Sequence, residues 1–94
     1  MEIKYETTDD CVCAELSGEL DEYSAEYVRI SLDDLLKDGR FSKAKLVLDF
    51  SKVSFMDSTG IGMLLGRYNK FSKQEINIYI KNQMIVSLML FLFC

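Results

Sequence analysis

Residues Ser54–Tyr68 read "SFMDSTGIGMLLGRY", and this stretch joins two different periodicities. Before it, "AKLVLDF" (Ala44–Phe50) is almost continuously apolar and rich in β-formers. That pattern predicts a central strand covered on both faces, with parallel neighbours and with helices above and below. After it, Ile61, Leu64, Leu65, Tyr68 and Phe71 recur at helical spacing. At the joint stand an acid, two hydroxyls and a glycine: Asp57, Ser58, Thr59 and Gly60.

Outward from this junction the same alternation continues. "INIYIK" (Ile76–Lys81) turns Ile76, Ile78 and Ile80 to one side and predicts another strand. Upstream, "GELDEYSAEYVRISLDDLLKDG" places Ala25, Val28, Leu32, Leu35 and Leu36 on one helical stripe. Glu26, Arg29, Asp33, Asp34 and Lys37 fill its other face. Ser24 is the expected N-cap of this helix of three to four turns, and Gly39 its stop. Nearer the N-terminus, "EIKYETT" and "CVCAELSGEL" flank "TTDD" and read as an antiparallel hairpin. The order strand, strand, helix, strand, helix, strand predicts an α/β fold, with crossover connections between parallel strands.

Composition narrows the function. A chain of 94 residues holds one small domain with one core. Its net charge of −4 and lack of a basic cluster argue against direct nucleic-acid binding. The absence of His removes the commonest general base and metal ligand, so neither catalysis, nor a metal, nor a cofactor is expected. The odd cysteine count (Cys11, Cys13, Cys94) fits a reduced cytoplasmic protein. The N-terminus carries no secretory pattern. The apolar run Met84–Cys94 is far shorter than the roughly 20 residues of a membrane span.

Four chemistries are open at Asp57–Gly60. The plainest is helix capping, for which Asp, Ser and Thr are all suited. A serine nucleophile lacks both the glycine two residues before it and any activating His. A dinucleotide loop is approached by Gly60, Gly62 and Gly66, but the third glycine falls one residue late. Gly62 and Gly66 lie four apart on one helical face, and the expectation is that they let the helix lie close to another surface. Phosphoacceptance is the fourth: a phosphate on a helix-start serine adds about −1.5 to −2 charges where backbone N–H groups tolerate them.

These residues carry a resemblance to a known family. "GELD" (Gly18–Asp21), "LVLDFSKVSFMDSTGIGMLLGRY" (Leu46–Tyr68) and the strand after it are similar to the anti-sigma-factor antagonists, members of the STAS domain family. "MDSTGIG" resembles the antagonist branch, and "LGRY" (Leu65–Tyr68) the sporulation-stage type. The resemblance implies a STAS-like single domain over residues 1–94, family-like over 1–82, with a mixed, mostly parallel sheet of about four strands and two to three helices. It implies a module that binds an anti-sigma factor that is also a serine kinase, and so frees a sigma factor in sporulation or stress. The kinase would phosphorylate Ser58, with Thr59 as runner-up, and a PP2C-type phosphatase would reverse this. Asp21, Asp57, Ser58, Thr59 and Gly60 would share the partner-binding surface, with Asp21 in an exposed loop that matters little to folding. Two alternatives stay open: a small-ligand or nucleotide-binding STAS module, and a truncated copy with little activity.

The sequence departs from the family at its end. No Gly or Pro stands in the loop before the last strand, and "MIVSLMLFLFC" (Met84–Cys94) is apolar on every side. A domain truncated or altered at its C-terminus is expected, with 83–94 as a divergent tail. Each large side chain left wet there forgoes roughly 1.5–3 kcal/mol, so self-association through the tail is expected too.

Overall fold

The computed structural model describes residues 1–37 and 45–81. The expected stop at Gly39 and the tail 83–94 lie outside these residues. Along the chain the elements are β1 (Glu2–Thr7), β2 (Cys11–Leu20), α1 (Glu22–Asp34), β3 (Lys45–Met56), α2 (Ser58–Ser72) and β4 (Asn77–Lys81). The four strands form one sheet in the order β1-β2-β3-β4. β1 runs antiparallel to β2, whereas β2, β3 and β4 are mutually parallel. This is the mixed, mostly parallel sheet the sequence predicts.

The hairpin turn is closed by Thr8. Its N–H donates to the Cys11 carbonyl at 2.9 Å, and its hydroxyl donates to Asp10 Oδ1 at 3.2 Å. β2 then alternates: Val12, Ala14 and Leu16 are buried, while Cys11, Cys13 and Glu15 are half-buried. Burial pushes the Cys13 thiol up from its ordinary value, which keeps it protonated.

The core lies between the sheet and both helices. Val12, Ala14, Leu16, Leu46, Leu48 and Phe50 from the sheet meet Ala25, Val28 and Leu32 of α1 and Leu64 and Phe71 of α2. Ile76 closes it from just before β4, and Ile78 and Ile80 pack against it. Tyr5 sits at its edge, with its hydroxyl 2.5 Å from Ser31 Oγ on α1.

Two expectations are corrected here. Among the described residues β3 is not sandwiched between helices: α1 and α2 both pack against the same sheet face, and no described helix covers the other. The reason is Asp49, which interrupts the apolar run. On the open face Lys4, Glu15, Asp49 and Lys81 stand in register across all four strands, a charged row that favours water. Asp49 is satisfied locally by the Ser51 N–H at 3.0 Å and by the Ser51 hydroxyl. Tyr68 is not a core residue either, being 51% exposed.

Candidate functional site

Leu20 ends β2 and Met56 ends β3, and the two are register partners. The next residue on each strand is an aspartate that caps the helix following it. Asp21 and Asp57 thus occupy equivalent positions, with near-identical extended backbones (φ −112°, ψ −170° and φ −107°, ψ −178°). The parallel pairing of β2 with β3 brings the N-termini of α1 and α2 to one end of the molecule.

Asp21 is built into a capping box. Its Oδ1 accepts from the N–H groups of Tyr23 and Ser24, each at 3.0 Å. In return Ser24 Oγ accepts from the Asp21 N–H at 3.0 Å and donates to the Glu19 carbonyl at 2.6 Å. These bonds, the one from the Ser24 N–H foremost, hold the Asp21 carboxyl below its ordinary value. Ser24 is therefore the third helical residue rather than the cap. Asp21 is a cap rather than a dispensable loop residue: it is the extended residue before the first helical one, and its Oδ1 accepts from two first-turn N–H groups.

Asp57 caps α2 in the same way, accepting from the Gly60 N–H at 3.0 Å. Capping is thus assigned to the acid and not to Ser58 or Thr59. Those two residues begin the helix, and both are exposed. Neither hydroxyl has a hydrogen-bond partner among the described residues. Both remain available for chemistry.

Gly60 fixes this arrangement against β2. It is buried, and a Cβ built on it would stand 2.7 Å from the Leu20 carbonyl oxygen and 2.9 Å from Leu20 Cγ. The same carbonyl accepts from the Asp57 N–H at 3.2 Å. The close approach expected at Gly62 and Gly66 is not made among the described residues, where nothing lies within 4 Å of a Cβ at either position. The close approach is made by Gly60 alone of the three, since the helix turns its next glycines away from the sheet.

Asp21, Asp57, Ser58, Thr59 and Gly60 thus form one end of the fold. Phe55, 51% exposed, flanks them on β3. Among the described residues no group of three or more His, Cys, Asp or Glu could hold a metal ion. No helix there is long and apolar enough to cross a membrane.

Further along the helices, Asp33 is a hub that helical periodicity assigns to solvent. It is only 16% exposed, with Arg67 Nε at 3.1 Å, Lys70 Nζ at 3.3 Å and Arg29 Nη1 at 3.5 Å. Asp33 Oδ1 and Arg67 Nε are buried yet not aligned for a hydrogen bond, so charge rather than directional bonding holds that pair. Arg67 of "LGRY" therefore ties α2 to α1.

The profile of the STAS domain matches residues 2–85 of this chain. The chain belongs to the STAS domain family. This STAS domain is 32% identical over 74 residues to an anti-sigma F factor antagonist of Paenibacillus polymyxa, covering 79% of this chain and 62% of that protein. It is 36% identical over 67 residues to an anti-sigma-B factor antagonist of Bacillus subtilis (strain 168), covering 71% of this chain and 58% of that protein. It thus spans less than two thirds of the length of either relative. Among solved structures it resembles the anti-sigma factor antagonist SpoIIAA in its unphosphorylated form, with a TM-score of 0.75 at 25% identity, over 96% of this chain and 83% of that one. The phosphorylated form of the Bacillus cell fate determinant SpoIIAA matches with a TM-score of 0.73 at 25% identity, over 96% of this chain and 82% of that one.

Proposed function

We propose that this STAS domain is an anti-sigma-factor antagonist. It binds an anti-sigma factor with serine kinase activity and so releases a sigma factor in the cytoplasm. It is switched off when the kinase places a phosphate on Ser58, and a PP2C-type phosphatase resets it. The domain itself acts by binding.

The observation that carries this reading is the position of Ser58. It is exposed in the first turn of α2, with its hydroxyl unengaged because Asp57 already caps the helix. A phosphate there would meet unsatisfied first-turn N–H groups, so the fold would tolerate it. A partner surface fitted to the neutral hydroxyl would not, because it would have to bury nearly two added charges beside Asp57. The names of the relatives and the SpoIIAA likeness support the class. Relatives named for sigma F and for sigma B both fit it.

The test is phosphate mapping. Incubation with the cognate kinase and ATP should yield one phosphate on the peptide carrying Ser58, and none in Ser58→Ala. Phosphate on Thr59 instead would move the switch by one residue; incorporation into neither would refute the reading.

A further inference from the structure

The sheet ends in β1 on one side and β4 on the other, and among the described residues neither has a strand beyond it. The two edges are protected differently. β1 carries Glu2, Lys4 and Glu6 among its six residues, and charges at that density keep an edge hydrated and unpaired. β4 reads Asn77, Ile78, Tyr79, Ile80, Lys81, with one charge in five residues and no proline, glycine or register shift. It is a run of strong β-formers whose outward N–H and C=O groups meet no strand among the described residues. We propose that β4 is a dimer edge: a second copy of this chain pairs with it antiparallel about a two-fold axis at Tyr79, joining two four-stranded sheets into one.

The register points to this occupant. Residues directly opposite each other in an antiparallel pair share a sheet face. The pairing that uses all five residues and keeps the helices of both copies on one side is therefore the one centred on Tyr79. It sets Tyr79 against the partner's Tyr79, Ile78 against the partner's Ile80, and Asn77 against the partner's Lys81. Aromatic meets aromatic, β-branched meets β-branched, and no like charges are opposed. Each side chain has surface left to cover, since Tyr79 is 50% exposed and Ile78 and Ile80 are half-buried.

The helix layer adds to the same edge. α2 packs on β4, and its Arg67 and Lys70 reach Asp33 of α1. Helical spacing puts Leu65, half-buried, and Tyr68, exposed, on the opposite flank of α2, toward the second copy. A five-residue edge with these two neighbours is small beside the roughly 800 Å² per partner of a standard interface. The dimer is accordingly weak, with a dissociation constant on the order of 100 µM. This contact is separate from the apolar run Met84–Cys94, and the test distinguishes the two.

The test follows sedimentation of the whole chain from about 10 µM to about 1 mM, a span that brackets such a constant. The unmodified chain should pass from monomer to dimer and stop there, because a two-fold contact closes on itself. The amides of Asn77–Lys81 should exchange with deuterium more slowly as concentration rises. Tyr79→Lys and Tyr79→Glu should each weaken the dimer by about tenfold or more, because two like charges then stand opposed on the axis. An equimolar mixture of the two variants should restore it, a rescue that only contact of position 79 with its own copy gives. Tyr79 is half-exposed, so both variants should keep the fold, as circular dichroism would show. A monomer at every concentration would overturn the proposal. So would β4 amides protected equally at all concentrations, the result of residues 82–94 of the same chain covering the edge. Tyr79→Lys associating as the unmodified chain does, the result of contact through Met84–Cys94, would overturn it as well.

Discussion

Gly60 and Leu20 meet so closely that a Cβ on Gly60 would stand 2.7 Å from the Leu20 carbonyl oxygen. This contact locks the start of α2 onto the end of β2. Gly60→Ala should push the first turn away from Leu20 and cost about 1–3 kcal/mol, as overpacking does. Urea denaturation should show that loss. Gly62→Ala is the matched control: a Cβ there meets nothing within 4 Å among the described residues, and the variant should gain about 0.5–1 kcal/mol. Equal effects from the two would mean that the Gly60–Leu20 contact is unimportant.

Asp21 serves the fold as well as the surface. Its replacement by Ala removes the acceptor for the Tyr23 and Ser24 N–H groups and should lower the melting temperature by roughly 5 °C, about the worth of one N-cap in a domain this size. Asp21→Asn should recover most of it. A binding defect in Asp21→Ala is therefore interpretable only beside the Asn variant.

Removing Asp33 should strand Arg67, which is 14% exposed, without its counter-charge. Asp33→Ala should cost about 2–3 kcal/mol by denaturant midpoint, somewhat under the ~3–5 kcal/mol seen for fully buried pairs, because both side chains keep some solvent. Pairing it with Arg67→Met should return part of the loss. A double variant as unstable as the sum of the singles would argue against direct coupling.

How much of this was legible in the chain depends on what each element needs. The strand order and both helical stripes follow from local periodicity, and Asp57–Gly60 announces a strand-to-helix junction by residue type alone. The choice of cap does not. Asp21, Ser24, Asp57 and Ser58 are all good caps on paper, and only the parallel register of Leu20 with Met56 selects the two acids. Which glycine makes a close approach is likewise a tertiary fact, set by the Leu20 carbonyl. Asp33 reads as solvent-facing because its partners Arg67 and Lys70 are far away in sequence. Asp49 within an apolar strand was the available sign that one sheet face carries no helix among the described residues.

Three carboxyls make stability depend on pH. Asp21 is held low chiefly by the Ser24 N–H, Asp49 by the Ser51 hydroxyl and Glu26 by Arg29. Folding therefore gains from their ionised forms. The gain is complete above the ordinary values of 3.8 for Asp and 4.5 for Glu, and is lost as pH falls through the lower folded values. The melting temperature should stay nearly flat from neutral pH to about 5 and fall steeply below about 4. Asp49→Asn should make that fall shallower. A fall setting in above pH 6 would contradict the assignment.

The central claim is that one phosphate on Ser58 changes the surface and not the fold. Calorimetric titration of the cognate anti-sigma factor against the unmodified chain and the stoichiometrically Ser58-phosphorylated chain, with far-ultraviolet circular dichroism of both, tests it directly. The account predicts superimposable spectra and at least a tenfold weaker affinity for the phosphorylated chain, with Ser58→Ala binding like the unmodified one. Equal affinities, or weakened binding accompanied by loss of helical signal, would contradict it.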